Sequence, residues 1–224
     1  MLAHLTGALQ RDPDVRGVLL TGSRARGDAL PGSDIDLLVL VASPPEKTLV
    51  SETINGRLVE RHFRSFEGAR ARLSEHPMEL YSYLDGHILY DPDGALAELV
   101  GEARVRFDAY RVPEGEKRAV FYWLRSVRLK LEAAVTAGDT LKMGYYAATN
   151  SWKVLGGLWA VNDKPVPPAG AVWAHLPDLS RRPEGLEAAL ERLFKGTPEE
   201  RSETMLGLIG WVLEPSPPDD QSAR

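Results

Sequence analysis

The chain has 224 residues, 43% of them hydrophobic and 26% charged, which excludes disordered and fibrous classes and leaves room for one large domain or two small ones. A formal net charge of -5 argues against a wide basic surface gripping a nucleic-acid duplex. The absence of cysteine removes disulfide frameworks, thiolate nucleophiles and cysteine-based zinc sites, and together with the lack of any roughly 20-residue apolar span it leads us to expect a cytoplasmic protein without a membrane segment.

Met1 to Gln10 is amphipathic through Leu2, Leu5 and Leu9 and lacks the basic start and continuous apolar core of a secretory signal. Val15 to Leu20 and Ile35 to Val41 are short aliphatic runs, the second continuous enough for a strand buried on both faces, with a Gly-rich polar loop between them. Thr48 to Ile54, Asn55-Gly56 and Arg57 to Phe63 form a hairpin signal, because both turn positions need positive φ. Ser65 can cap a short helix running to about Ser74. His87 to Tyr90 reads as a strand before the Asp91-Pro92-Asp93-Gly94 turn, and Ala95 to about Arg106 as a helix.

A Pro113-Glu114-Gly115 step then divides the chain. Beyond it, Val120, Leu124, Val127, Leu131 and Val135 define one amphipathic helix. Leu141, Tyr145, Ala148, Trp152, Leu155 and Trp159 define a second, antiparallel across Gly138-Asp139. A Pro-rich connection, Lys164 to Pro168, leads to a helix around Leu186 to Phe194 ended by Gly196. Thr197-Pro198-Glu199-Glu200 opens a last helix with a capping box. The expected organisation is therefore α+β: a mixed β-sheet domain with flanking helices over residues 1–110, an all-α helical bundle over 116–214, and a disordered tail over 215–224. Most of the five tryptophans are expected in the core.

The chemistry concentrates in the first part. Asp34 and Asp36 stand at i and i+2 at the start of an apolar strand, so both carboxylates project from one face. Clustered carboxylate oxygens are what hard divalent cations require. Upstream, Gly22-Ser23-Arg24-Ala25-Arg26-Gly27 follows the first strand, where small residues let backbone amides approach phosphate oxygens and Ser23 offers a hydroxyl. Glu60, in the second strand of the hairpin, reaches the same point if that strand lies beside the Ile35 strand. His62 projects from the same strand face. Each feature has an ordinary reading as well: Asp34 and Asp36 as a solvated strand start, Arg24 and Arg26 as loop charges, Glu60 as a cross-strand partner.

Taken together, Leu20-Thr21-Gly22-Ser23, then Ser33-Asp34-Ile35-Asp36-Leu37, then Val59-Glu60-Arg61 resemble the nucleotidyltransferase superfamily related to DNA polymerase β. The Ser-Arg-Ala-Arg-Gly form looks most like the bacterial branch of aminoglycoside and lincosamide nucleotidyltransferases and the minimal nucleotidyltransferases of toxin–antitoxin pairs. The resemblance spans roughly residues 15–95 and implies two Mg²⁺ ions held by Asp34, Asp36 and Glu60, and a nucleoside triphosphate, ATP by expectation, bound at Gly22, Ser23, Arg24 and Ser33. It also implies transfer of a nucleoside monophosphate to a hydroxyl of a small acceptor, in a protein that forms a homodimer in some relatives. Glu60 is the motif-matched candidate for a base. The helical second part favours the antibiotic-modifying branch, with a protein-modifying AMP transferase and a catalytically silent nucleotide-binding module as rivals. On the second bundle helix Tyr146, Asn150 and Lys153 form a polar stripe, from which Lys153 is expected to reach a phosphate if that face looks onto the site; an ordinary solvated face is the alternative. Glu79, Asp85, Glu132 and Asp139 are the candidates for an acidic acceptor pocket.

Overall fold

The computed structural model describes residues 1–214; the disordered tail expected over 215–224 lies outside the described residues. The chain forms two compact units, one of Met1–Tyr110 with Pro165–Pro177, the other of Arg111–Lys164 with the chain from Asp178 on. The segment 165–177, counted with the helical part from sequence, thus packs with the sheet.

In the first unit α1 (Leu2–Leu9) precedes β1 (Val15–Thr21), and a helical turn α2 (Gly22–Arg26) opens the stretch read as loop. Then come β2 (Ile35–Val41), β3 (Leu49–Ile54), β4 (Arg57–Arg64), α3 (Phe66–Glu75), α4 (Leu80–Leu84), β5 (His87–Tyr90) and α5 (Ala95–Ala109). The strand order is β3-β4-β2-β1-β5. Only β2 and β4 run parallel; the other neighbours are antiparallel. The β3–β4 hairpin turns at Asn55 (φ 51) and Gly56 (φ 75), both in the left-handed region that the Asn-Gly pair serves.

The apolar run of β2 explains the layering. Leu37, Val39 and Val41 face α1 with Leu5, Val18, Leu20 and Val59, while Leu38 and Leu40 face α3, α4 and α5 with Leu73, Leu80, Tyr83, Leu96 and Leu99. Each fully buried Leu or Val contributes about 1.5–3 kcal/mol of transfer free energy. A strand apolar on both faces is therefore sandwiched, and only its N-terminal end, at Asp36, is left to polar chemistry. Ser65 caps α3, its hydroxyl accepting from the Gly68 amide at 3.1 Å. Leu80–Leu84 is one short helix whose Leu80, Tyr81 and Tyr83 are buried.

The second unit holds α6 (Glu114–Thr136), α7 (Thr140–Ala160), α9 (Leu186–Lys195) and α10 (Pro198–Leu213), while α8 (Val172–His175) belongs to the segment that rejoins the first. Pro113 caps α6, so the interruption read from Pro113-Glu114-Gly115 is shorter than expected. The Thr197 capping box of α10 is formed on both sides: its hydroxyl accepts from the Glu200 amide, and Glu200 accepts from the Thr197 amide at 2.8 Å. On α7 the inward positions are Met143, Ala147, Val154, Leu155, Leu158 and Trp159, whereas Leu141, Tyr145 and Trp152 are exposed. The apolar stripe read from Leu141 to Trp159 is thus buried only at its C-terminal end, because α7 is apolar around much of its circumference and the packing partner, not periodicity, selects the face. The expectation that most tryptophans are core is likewise corrected. Trp159 is buried at 1%, but Trp123, Trp152 and Trp173 are 47%, 40% and 56% exposed.

Candidate active site

The sheet register assembles the acids. Asp36 is the Cα partner of Thr21 on one side and of Glu60 on the other. The parallel pairing of β2 with β4 is thus the step that carries Glu60 to the aspartates. Asp34, just before β2, completes the group: one carboxylate oxygen from each of Asp34, Asp36 and Glu60 lies within 4.8 Å of the others. Glu60 Oε1 accepts from Ser51 Oγ at 2.9 Å across the hairpin.

Three anionic groups this close repel one another. Burial pushes the Asp36 carboxyl up to about 6, and the charges of Asp34 and Glu60 push in the same direction against the opposing pull of Arg26. No side-chain hydrogen-bond donor among the described residues meets the Asp36 carboxylate. Gly22 explains how the backbone comes so near it. With φ +68, a Cβ at this position stands 2.2 Å from Asp36 Oδ2, so only glycine supports both the conformation and the approach.

Ser23 and Arg24 follow on α2, and the structure shows where the Arg24 side chain goes. Its Nε donates to the carbonyl of Asp34 at 2.6 Å and its Nη2 to the carbonyl of Ser33 at 2.7 Å. Ser33 Oγ accepts from the Leu30 amide at 2.9 Å, closing the turn before the aspartates. Arg26, from the same helical turn, donates to the carbonyl of Gly170 at 2.9 Å and pairs with Asp28 at 3.1 Å and Asp85 at 3.7 Å. Lys153 stands in the helical unit, its ammonium over the Trp123 ring at 5.5 Å.

Beside Asp36 opens a cavity of about 270 Å³, lined by Thr21, Gly22, Arg26, Asp36, His62, Arg64, Glu79, Tyr81, Tyr83 and Asp85, and on one side by Pro168 and Ala171. His62 lines it because it shares the face of Glu60 two residues along β4. Burial and Arg64 hold its imidazole below the usual range, the neutral form. Burial pushes the Tyr83 phenol up to about 12. Burial also raises the Glu79 carboxyl, but hydrogen bonds from Arg72 and Arg64 outweigh it and leave the group below its ordinary value. Of the four acids considered for an acceptor pocket, Glu79 and Asp85 line this cavity and Glu132 and Asp139 do not.

The wall at Pro168 and Ala171 is held by the returning segment. Tyr81 OH donates to the carbonyl of Pro165 at 2.8 Å, the rings of Tyr81 and His175 lie 4.6 Å apart, and His175 Nε2 sits 3.0 Å from Asp85. Arg64, Tyr81, Tyr83 and the 165–177 wall were not read from the sequence. No motif marks them, and they meet the aspartates only through folding.

Residues 3–80 match the family of nucleotidyltransferase domains. That stretch carries the Gly22-Ser23 turn, both aspartates and Glu60, and is similar to nucleotidyltransferase domains, which supports a transferase of that class. Among solved structures, a nucleotidyltransferase-like protein from Exiguobacterium sibiricum 255-15 is similar at 16% identity, over 95% of this chain and 72% of that one, with a TM-score of 0.43. No curated protein matches the chain.

Proposed function

We propose that the protein transfers a nucleoside monophosphate from a nucleoside triphosphate, ATP by preference, to a hydroxyl of a small acceptor of the aminoglycoside or lincosamide kind, with release of pyrophosphate in the cytoplasm. The observation that carries this reading is the meeting of Asp34, Asp36 and Glu60 within 4.8 Å beside the Gly22-Ser23 turn. The donor set fits Mg²⁺: it is all hard oxygen, it is anionic, and its three carboxylate oxygens lie within 4.8 Å of one another. Two such ions, when bound, activate the attacking hydroxyl and neutralise charge on the reacting phosphate and on the leaving pyrophosphate.

The chain's own groups supply the positioning. Asp36 and Glu60 are fixed by adjacent strands, which keeps their oxygens in place before substrate arrives. Gly22 and Ser23 offer backbone and hydroxyl donors to the triphosphate. The cavity of about 270 Å³ next to Asp36 suits a small acceptor or part of one.

The test is calorimetric titration of ATP and GTP with Mg²⁺ into the wild type and an Asp34→Ala/Asp36→Ala variant, followed by a pyrophosphate-release screen over aminoglycosides and lincosamides. Metal-dependent binding that disappears in the variant, with turnover on a drug, is the expected result. Binding without turnover moves the acceptor to a protein side chain. No binding by the wild type ends the catalytic reading.

A further inference from the structure

Resting on the proposed metal role of Asp34, we infer that Arg24 is a positioning residue that holds Asp34 in the carboxylate cluster, and that its contribution to nucleotide transfer runs through that carboxylate rather than through a direct phosphate contact. The three acids are not anchored alike. Asp36 is paired in register with Thr21 and Glu60, and Glu60 with Asp36 and Ser51, so ladder hydrogen bonds on both sides fix their backbones. Asp34 precedes β2, which begins at Ile35, and no strand register includes it. The loop before it turns at Gly32, φ 93, and is closed locally by Ser33 and Leu30. Neither contact reaches across to another element.

Arg24 makes that crossing. It leaves α2 and sets two guanidinium N–H groups on consecutive carbonyls, those of Ser33 and Asp34, at 2.7 and 2.6 Å. A planar fork with fixed donor geometry can bridge two carbonyls in this way; a lysine ammonium, a single point on a flexible stem, cannot reproduce it. The carbonyl that Arg24 grips belongs to the residue whose side chain enters the cluster, so the clamp sets where the Asp34 carboxylate starts from. Loss of a group that orients a metal ligand in this way typically weakens metal binding by about 10–100-fold.

The experiment is a titration with Mn²⁺ alone, followed by electron paramagnetic resonance, on the full chain as wild type, Arg24→Ala and Arg24→Lys, with thermal melts of each. No nucleotide is present, so a phosphate contact cannot influence the readout. Arg24→Ala is expected to weaken Mn²⁺ binding at least tenfold, with Arg24→Lys between it and the wild type. Mn²⁺ binding in Arg24→Ala equal to that of the wild type overturns the inference while leaving the proposed function standing. A wild type that binds no Mn²⁺ overturns both. If Arg24→Ala does not fold, Arg24→Lys carries the comparison alone, and wild-type affinity in it overturns the inference.

Discussion

Replacing Asp36 by asparagine is expected to stabilise the metal-free protein at neutral pH. The Asp36 carboxyl rises from 3.8 to about 6 in the fold, and about two pKa units correspond to a ceiling of about 3 kcal/mol. Because the side chain is half-buried and water screens part of the repulsion, about 1–2 kcal/mol is the realistic size. A carboxyl whose folded pKa lies above its unfolded one favours the fold fully below pH 3.8, and that contribution is lost as pH rises through 6. At pH 7.5 the ionised group therefore opposes folding, and Asp36→Asn removes that opposition with almost no change of shape. In EDTA, thermal melts of wild type and variant across pH 5–8 should show the variant melting higher by roughly 2–8 °C at pH 7.5, with the gap narrowing toward pH 5. Added Mg²⁺ should reverse the order, since only the wild type then gains by mass action. An Asp36→Asn variant that melts lower than the wild type by the same margin at every pH would refute the charge argument.

Other consequences are testable in the same way. Below about pH 6 protons compete with the metal for Asp36, so apparent Mn²⁺ affinity should fall by up to about tenfold per pH unit; a pH-independent affinity contradicts this. Gly22→Ala sets a Cβ 2.2 Å from Asp36 Oδ2 at a φ of +68, and should cost more than about 1 kcal/mol in a denaturant melt and abolish pyrophosphate release. Glu60→Gln keeps a group for Ser51 to bond but removes one charge from the cluster; metal-dependent turnover should fall by about 100-fold or more with the melt little changed. Tyr81→Phe leaves the Pro165 carbonyl without the phenol that donates to it, and should lower stability by about 1–2 kcal/mol on denaturant unfolding.

The sequence by itself determined the local pieces, because their causes are local. Asn55-Gly56 requires a tight hairpin, the largely apolar Ile35 to Val41 run requires a strand covered on both faces, Thr197 to Glu200 encodes its own cap, and Asp34-x-Asp36 sets two carboxylates at the start of that strand. Tertiary structure decided everything that depends on which element lies beside which. The parallel pairing of β2 with β4 turned Glu60 from a hairpin residue into a neighbour of Asp36, a relation that no spacing in the chain specifies. The same holds for Arg24, whose fork is spent on the carbonyls of residues 33 and 34, and for Pro168 and Ala171, which return from far along the chain to wall the cavity beside Asp36. On α7, periodicity offered more apolar surface than the bundle covers, so Trp159 is buried and Trp152 is not. Hydrophobic pattern says that a residue can be buried; only the arrangement of its neighbours decides that it is.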